Sequence, residues 1–273
     1  MLTQAQKGLA FRALHAGDQA FIIPNPWDVG TARLLEHLGF AALATTSAGY
    51  AFSAGKRDNS IECGEIMEHV SKIVAATDLP VSADLENGFG DSPETVAQTI
   101  KLAAATGLAG GSIEDMSHQP DHAIYEFAHA VERVRAAAEA AHAFPFPFTL
   151  TARAENYLVG KPDLNDTIKR LQAYQSAGAD VLYAPGLATK DDIAAVVSSV
   201  DRPVNVVMGL QGVQLSLQEL SALGVKRVSV GSSLSRAALG AFLRAAKEMQ
   251  ERGTFTFAAE AVSFRDISAM FKA

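Results

Sequence analysis

Two carboxylates and two glycines follow a short apolar run in segment 81–90, and their spacing is the most informative feature of the sequence. Residues i and i+2 of a strand point to the same face, so Asp84 and Glu86 are expected to point together. Glycines at positions 88 and 90 let the backbone approach a ligand closely. Taken alone, such a segment favours a strand end with an exposed turn, but paired carboxylates also suit a hard cation such as Mg²⁺.

Polar residues also follow the second apolar run of the chain. Ser47, Ala48, Gly49 and Tyr50 stand directly after it, and their hydroxyl and backbone N–H groups suit a substrate carboxylate. A long connection follows, and it carries Asp58. We therefore expect this part of the chain to contribute to substrate binding.

Three further apolar runs contain a polar residue, either at their end or within them. Glu114 ends the fourth run, Arg153 ends the fifth and Asn205 lies in the seventh. Carboxylates at successive strand ends would repel one another unless a cation were bound among them. The pattern as a whole therefore favours a metal site over the simple strand-end interpretation of each carboxylate.

The elements that must position these residues are short apolar runs alternating with segments of helical periodicity. Eight such pairs predict a (β/α)₈ TIM barrel in a single domain, 1–273, and the 48% hydrophobic content supports one large core. In that fold the polar residues gather at the carboxyl ends of the strands. The predicted strands are 20–24, 41–46, 79–84, 108–114, 146–153, 179–184, 203–208 and 227–231. The predicted helices are 28–38, 62–76, 93–106, 123–141, 165–177, 190–199, 216–223 and 233–252.

The composition narrows the class of protein. A net charge of −7 without a basic cluster argues against nucleic acid or an anionic membrane surface as a partner. Cys63 is the single cysteine, which rules out an internal disulfide framework and predicts a reducing, cytoplasmic location. No segment reaches the apolar length of a membrane span.

At the level of motifs, the chain resembles the isocitrate lyase / phosphoenolpyruvate mutase superfamily over most of its length. Members share an Mg²⁺-dependent, pyruvate-like enolate intermediate next to which a C–C or P–C bond is cleaved or formed. The motifs that carry the resemblance are Asn-Pro-Trp-Asp at 25–28, Thr-Ser-Ala-Gly at 46–49, the segment 84–90, Ile-Glu-Asp at 113–115 and Thr-Ala-Arg at 151–153.

The resemblance implies a role for each matching residue. Asp84 would ligate Mg²⁺, or Mn²⁺ in its place, with Glu86 and Glu114 holding the waters of the metal. The segment Ser47, Ala48, Gly49 would bind the substrate carboxylate. Arg153 would bind the oxygen on which negative charge develops, and Asp58 would lie near the reacting centre.

The loop after the fourth strand departs from the superfamily pattern. Isocitrate and methylisocitrate lyases carry a Lys-(Lys/Arg)-Cys-Gly-His signature there, and phosphonopyruvate-type enzymes carry an Asn-Ser pair. This chain has neither; it has His118 and His122 in that loop, so proton transfer would fall to Asp58, His118 or His122. Cys63 lies on a predicted helix and is interpreted as a packed small residue rather than a catalytic thiol.

Three functions remain open at this point. The leading one is an Mg²⁺-dependent lyase acting on a small 2-oxo or 2-hydroxy di- or tricarboxylate, by C–C cleavage or decarboxylation. The second is P–C chemistry on phosphonopyruvate, as a mutase or hydrolase. The third is a 2-oxo-acid-binding protein that has lost turnover.

A last segment, 254–273, remains outside the barrel pattern. We predict an extended arm at 254–257 and a helix at 258–271 with Phe264, Ile267 and Phe271 along one face. Relatives exchange their final helices between neighbouring barrels, so the resemblance implies a homotetramer built as a dimer of dimers.

Overall fold

Eight parallel strands form a nearly closed barrel in the computed structural model, which describes residues 2–117, 119, 121–210 and 212–271. Helices lie between successive strands, so the predicted (β/α)₈ fold is confirmed. Every strand falls inside its predicted range. The strands are β1 (Phe21–Ile23), β2 (Leu43–Ala44), β3 (Val81–Asp84), β4 (Gly110–Glu114), β5 (Thr149–Arg153), β6 (Val181–Tyr183), β7 (Val204–Val207) and β8 (Arg227–Ser229).

The strands pair in chain order around the barrel, and β8 returns to pair with β1. Between β1 and β2 the Ala44 N–H donates to the Pro24 carbonyl oxygen at 3.1 Å, which joins the two strands just beyond β1. Ser112 of β4 pairs with Thr151 of β5, and Asn205 of β7 pairs with Arg227 of β8. This register determines which strand-end side chains face one another across the barrel.

Eleven α-helices are present in the described residues, eight of them at the predicted positions. The largest shift is in α6, which starts at Phe127 rather than at 123 because Glu126 caps it, accepting hydrogen bonds from the Ala128 and His129 N–H groups. The helices are α1 (Gln4–Ala16), α2 (Val29–His37), α3 (Ser47–Ser53), α4 (Cys63–Ala76), α5 (Pro93–Ala105), α6 (Phe127–His142), α7 (Leu164–Ser176), α8 (Lys190–Ser198), α9 (Leu217–Ala222), α10 (Ser233–Arg252) and α11 (Phe264–Ala269).

Two helices were not predicted from the sequence, α1 and α3. Helix α1 covers the amino ends of β3–β5, where Gln4 donates to the Leu108 carbonyl oxygen and Lys7 donates to the Thr77 carbonyl oxygen. Phe11 of the same helix is fully buried, close to the start of β4. The polar first turn of α1 made this helix hard to predict, and its buried side chains include Lys7 and His15 besides Phe11.

The interior of the barrel departs from the usual composition. TIM-barrel interiors are generally filled by Val, Ile and Leu. Here the inward positions below the strand ends include Ser82, Ser112 and Asn205, all of which line a cavity. Because these side chains are small or polar, the cavity extends into the barrel instead of ending at its rim.

The C-terminal segment differs from the prediction. The predicted extended arm is wrong at its end, since Thr256–Glu260 forms a 3₁₀ helix, and α11 is shorter than the predicted helix 258–271. Glu248 holds this turn by accepting hydrogen bonds from the Thr256 and Phe257 N–H groups. No helix within the described ranges has the length and apolar content needed to cross a membrane.

Candidate active site

A cavity of about 420 Å³ opens at the carboxyl ends of the strands. Loops and strand ends from most of the barrel line it, so residues far apart in sequence meet there. We call this end of the barrel the mouth. Of the residues singled out from the sequence, the cavity is lined by Ser47, Ala48, Asp58, Asp84, Glu114, Arg153 and Asn205.

Arg153 occupies the centre of the mouth. Its Nη1 lies 3.0 Å from Asp84 Oδ1 and 3.0 Å from Glu114 Oε2, and its Nε lies 2.7 Å from Glu155 Oε1. The arginine therefore neutralises part of the acidic cluster, which corrects the expectation that these carboxylates are unpaired. Its side chain keeps 13% of its surface exposed toward the cavity, so it can still meet a ligand.

Burial controls the electrostatics around Arg153. Desolvation raises the pKa of Glu155 to about 7 and raises that of Glu114, while the charge of Arg153 opposes both changes. The same carboxylates raise the pKa of Arg153, although its own burial acts in the opposite direction. A guanidinium held this way stays charged at any pH at which the protein folds.

Glu86 lies just behind the mouth and does not line the cavity. It is buried and adopts a left-handed φ of 49°, which is uncommon for a residue other than glycine. Its Oε1 has no hydrogen-bond partner. Burial raises the pKa of Glu86 to about 8, with smaller contributions from the charges of Asp84 and Asp58. A buried carboxylate oxygen without a partner, on a strained backbone, indicates a functional constraint.

Arg133 of α6 fixes the turn after β3 that carries Glu86. Its guanidinium donates to the backbone carbonyl oxygens of Asn87, Gly90 and Asp91 and lies over the Tyr125 ring, 4.0 Å from the centroid. These contacts of the Arg133 side chain with backbone carbonyl oxygens hold the turn in place.

Ser47 is the first residue of α3, and it links two acidic side chains of the mouth, Asp84 and Asp58. Its Oγ lies 2.9 Å from Asp84 Oδ2 and 3.3 Å from Asp58 Oδ1, and its N–H donates to Asp84 Oδ2 at 3.2 Å. Burial and the charge of Asp84 raise the pKa of Asp58. Asp58 is therefore better suited to accept or hold a proton than an ordinary surface aspartate.

Two predicted substrate contacts lie away from the cavity. Tyr50 points to the outer side of α3, where its ring stacks on His69 with centroids 3.8 Å apart and its hydroxyl donates to Glu65 at 3.2 Å. Gly49 is packed so closely that a Cβ would lie 2.6 Å from the Thr46 side chain. The helical turn sends Ser47 and Ala48 into the cavity, whereas Gly49 and Tyr50 do not line it, so the substrate contacts of these last two residues stay a prediction.

In the loop after β4, Met116 pairs with Ile124 in an isolated antiparallel bridge. The candidate acid or base His118 lies outside the described residues. Asp115 turns away from the mouth, because its carboxylate accepts hydrogen bonds from the Glu155 N–H and from Arg170. Of the adjacent pair, only Glu114 belongs to the site, as strand alternation requires.

The donor set fits a hydrated divalent cation. Asp84, Glu86 and Glu114 offer only carboxylate oxygens, which Mg²⁺ prefers. Within the described ranges no three His, Cys, Asp or Glu side chains converge closely enough to enclose a metal directly. Mg²⁺ in proteins usually keeps several waters and binds one or two carboxylates directly. The spacing of the three carboxylates and the unpartnered Glu86 Oε1 are therefore compatible with a hydrated Mg²⁺.

Glu155, two positions after Arg153, stands with it at the end of the fifth apolar run and also lines the cavity. Among the cavity residues that the sequence reasoning did not identify are Tyr183 and Arg227. Tyr183 and Arg227 share a ladder position with Arg153 and Asn205 along β5–β8. Nothing local in the sequence distinguishes them from ordinary strand residues.

Comparison with known proteins adds an independent finding. Residues 11–250 match the sequence profile of phosphoenolpyruvate phosphomutase. The crystal structure of a protein from Burkholderia cenocepacia J2315, named only provisionally as a lyase/mutase, superposes with a TM-score of 0.97. The two sequences are 65% identical, and the match covers 99% of this chain and 97% of the other.

Two characterised relatives are more distant. The 2-methylisocitrate lyase of Shewanella oneidensis is 28% identical over 90% of this chain and 86% of its own length. The oxaloacetate decarboxylase of Chromohalobacter salexigens is 28% identical over 92% of this chain and 88% of its own length. The chain thus resembles lyases that act on small carboxylates along nearly all of its length.

Proposed function

Because this chain belongs to the phosphoenolpyruvate phosphomutase family, we propose that it is an Mg²⁺-dependent lyase acting on a small 2-oxo or 2-hydroxy di- or tricarboxylate. The bond broken would be a C–C bond, by retro-aldol cleavage or decarboxylation. Both characterised relatives described above are named for reactions that break such a bond. The single cysteine supports a reducing, cytoplasmic location for this enzyme.

The observation that carries the proposal is the position of Arg153. The three ion pairs use Nη1 and Nε of this guanidinium, so its Nη2 group can donate a charge-assisted hydrogen bond to a substrate oxygen. Its contacts with Asp84, Glu114 and Glu155 hold it in place before the substrate arrives. Donors preorganised in this way stabilise negative charge as it develops during bond cleavage.

Asp84 would hold the metal directly, with Glu86 and Glu114 holding its waters. When bound, Mg²⁺ would supply Lewis-acid polarisation of the 2-oxygen of the substrate. Ser47 orients the Asp84 carboxylate through its N–H and hydroxyl groups. Since Ser47 and Ala48 also line the cavity, the start of α3 would bind the adjacent substrate carboxylate.

Proton transfer would fall to Asp58. It lines the cavity, its pKa is raised by burial, and Ser47 connects it to Asp84. The Asn59 N–H also donates to Asp58 Oδ1 at 3.1 Å, which fixes the carboxylate. A carboxylate held at the edge of the site can exchange a proton with the substrate or with the leaving fragment.

A substrate panel tests the proposal. The purified protein is incubated with Mg²⁺ or Mn²⁺ and oxaloacetate, methylisocitrate, 2,3-dimethylmalate or phosphonopyruvate, and products are identified by mass spectrometry. Release of a pyruvate-like or other 2-oxo product from a carboxylic acid supports the lyase. Phosphate or phosphoenolpyruvate formed from phosphonopyruvate would assign P–C chemistry instead. Calorimetric binding without any product would identify a 2-oxo-acid-binding protein.

The loop after β4 gives a narrower prediction. We expect negligible cleavage of isocitrate and methylisocitrate, because the lyase Cys signature is missing and Cys63 does not line the cavity. Cys63 lies at the start of α4, partly buried, and burial raises the pKa of its thiol. Cys63→Ser should therefore leave any measured activity within about twofold of wild type. Strong isocitrate turnover, or loss of activity in Cys63→Ser, would contradict this.

We also propose that the C-terminal helices cover a second copy of the chain. In helix α10 only Ser235 is buried, whereas Leu239, Phe242 and Leu243 are all exposed, with Phe242 66% exposed. Beyond this helix, Phe264 is 87% exposed. An apolar face of this size on a single chain marks a protein interface. Exchange of these helices between barrels, in a tetramer of paired dimers, would bury it.

Truncation after Arg252 tests the assembly. We expect the shortened chain to dissociate from the homotetramer and to become poorly soluble, since it loses the contacts of Phe264, Ile267 and Phe271. Burying three such side chains contributes roughly 5–9 kcal/mol before ordering costs. A chain lacking only Lys272 and Ala273 is the matched control. Light scattering that shows a well-behaved monomer for the full chain would rule out the exchange.

A further inference from the structure

The inner end of the cavity has the opposite character to its acidic mouth. The lining residues Ser82, Ser112, Asn205 and Arg227 form this part of the cavity, which we call the floor. None of these four residues is acidic, and none is bulky and apolar. The floor therefore offers hydrogen-bond donors and one positive charge at a depth where a barrel of this class usually has packed Val, Ile and Leu.

Arg227 provides the positive charge of the floor. Its side chain is buried, with Nε donating to Asn205 Oδ1 at 2.9 Å and Nη2 donating to Thr151 Oγ1 at 2.9 Å. Nη1 has no hydrogen-bond partner. Burial lowers the pKa of Arg227 to about 10, so the guanidinium remains charged at neutral pH.

The hydrogen bonds of this buried guanidinium, described above, go to neutral acceptors. Across the described ranges, no carboxylate forms an ion pair with Arg227, in contrast to Arg153, which contacts three. A buried charge that lacks an opposite charge costs several kcal/mol of desolvation. A protein tolerates such a cost most readily where a ligand supplies the missing charge.

Arg227 also sets the orientation of Asn205. Because Nε can only donate, the carboxamide oxygen of Asn205 must face Arg227. The Nδ2 group then donates one hydrogen to Ser229 Oγ at 3.0 Å, and its second hydrogen remains available. The floor thus combines a charged donor and a neutral donor whose directions are fixed by one contact.

We propose that Arg227, with Asn205 held by it, forms an anion subsite that binds the second carboxylate of the substrate. This inference rests on the proposed function, in which the first carboxylate and the 2-oxygen bind at the mouth. It makes the enzyme selective for dicarboxylates over monocarboxylates of the same length. Arg227 is then a specificity residue that binds the end of the substrate away from the bond that breaks.

Two nearly isosteric probes test the subsite. L-Malate and L-2-hydroxybutyrate have the same four-carbon 2-hydroxy acid chain, and a methyl group in the second replaces the far carboxylate of the first. Calorimetry with Mg²⁺ measures both affinities, and oxalate serves as a probe of the mouth alone. The wild-type protein should bind malate about tenfold or more tighter than 2-hydroxybutyrate, as expected for a hydrogen bond to a charged group.

Variants of Arg227 separate recognition from structural support. In Arg227→Gln the ratio of the two affinities should fall to about one, while oxalate and 2-hydroxybutyrate bind as in wild type. Arg227→Lys keeps the charge and should retain part of the preference for malate. Arg135→Gln, at an exposed arginine of α6 that pairs with Glu132 and lies outside the cavity, is the matched control and should change none of these affinities.

Each outcome decides between the two proposals. If oxalate does not bind the wild-type protein with Mg²⁺, the proposed function fails and this inference fails with it. If oxalate binds but wild type does not prefer malate, the subsite alone is wrong, and this result needs no variant to fold. If Arg227→Gln weakens malate and 2-hydroxybutyrate equally, Arg227 is a structural residue and the inference is overturned.

Discussion

Asp84→Ala is expected to abolish Mg²⁺ binding and, with it, catalytic activity, while the barrel remains folded. Asp84 is the carboxylate at the end of β3 that lines the cavity, whereas Glu86 lies behind it. Loss of a group that only orients a metal ligand typically lowers metal affinity 10–100-fold, so loss of the ligand itself should cost more than about 10²-fold. Isothermal titration calorimetry with Mg²⁺ or Mn²⁺ measures the change.

The fold should survive this substitution because Arg153 retains its contacts with Glu114 and Glu155. Asp191→Ala is the matched control: Asp191 lies in the first turn of α8, is exposed and does not line the cavity. Circular dichroism and thermal unfolding should then report similar folded proteins for both variants. Wild-type metal affinity in a folded Asp84→Ala protein would remove Asp84 from the metal site.

Arg153→Lys is expected to lower kcat/KM by roughly 10²-fold or more, although the positive charge is kept. Lysine cannot reproduce the planar fork that contacts Asp84, Glu114 and Glu155 together, and it has no second nitrogen that could donate to the substrate while the first contacts these carboxylates. Removal of one preorganised donor to a developing oxyanion costs 10²–10³-fold in other enzymes. Steady-state kinetics on the substrate identified by the panel measures the loss.

The division of this loss between kcat and KM is informative. If Arg153 acts on the charge that develops during cleavage, kcat should fall while KM changes little. Arg135→Lys is the matched control, because Arg135 forms an exposed ion pair with Glu132 on α6 and lies outside the cavity. Activity of Arg153→Lys within a few-fold of wild type would show that Arg153 has only a structural role.

The barrel could be predicted from the sequence because the patterns that indicate its strands and helices are local. Each strand and each helix is indicated by the periodicity of apolar residues within its own short stretch of sequence. All eight strands fall inside their predicted ranges. The helix at Pro93 begins as predicted, with Ser92 accepting from the Thr95 N–H. The C-terminal segment was less predictable, since contacts from Glu248 bend its start into a 3₁₀ turn.

In the candidate active site, too, some features follow from local sequence and others only from tertiary contacts. The sequence by itself determined that Asp84, Glu114 and Arg153 end successive strands, and parallel strands necessarily bring such ends to one side of a barrel. Only the tertiary structure decided that Arg153 contacts both carboxylates, that Tyr50 turns toward His69, and that Arg227 lies in the floor. These contacts depend on the stagger of β3–β8 and on the turn that starts α3. Barrel closure fixes that stagger over the whole chain, so no local pattern of residues encodes it.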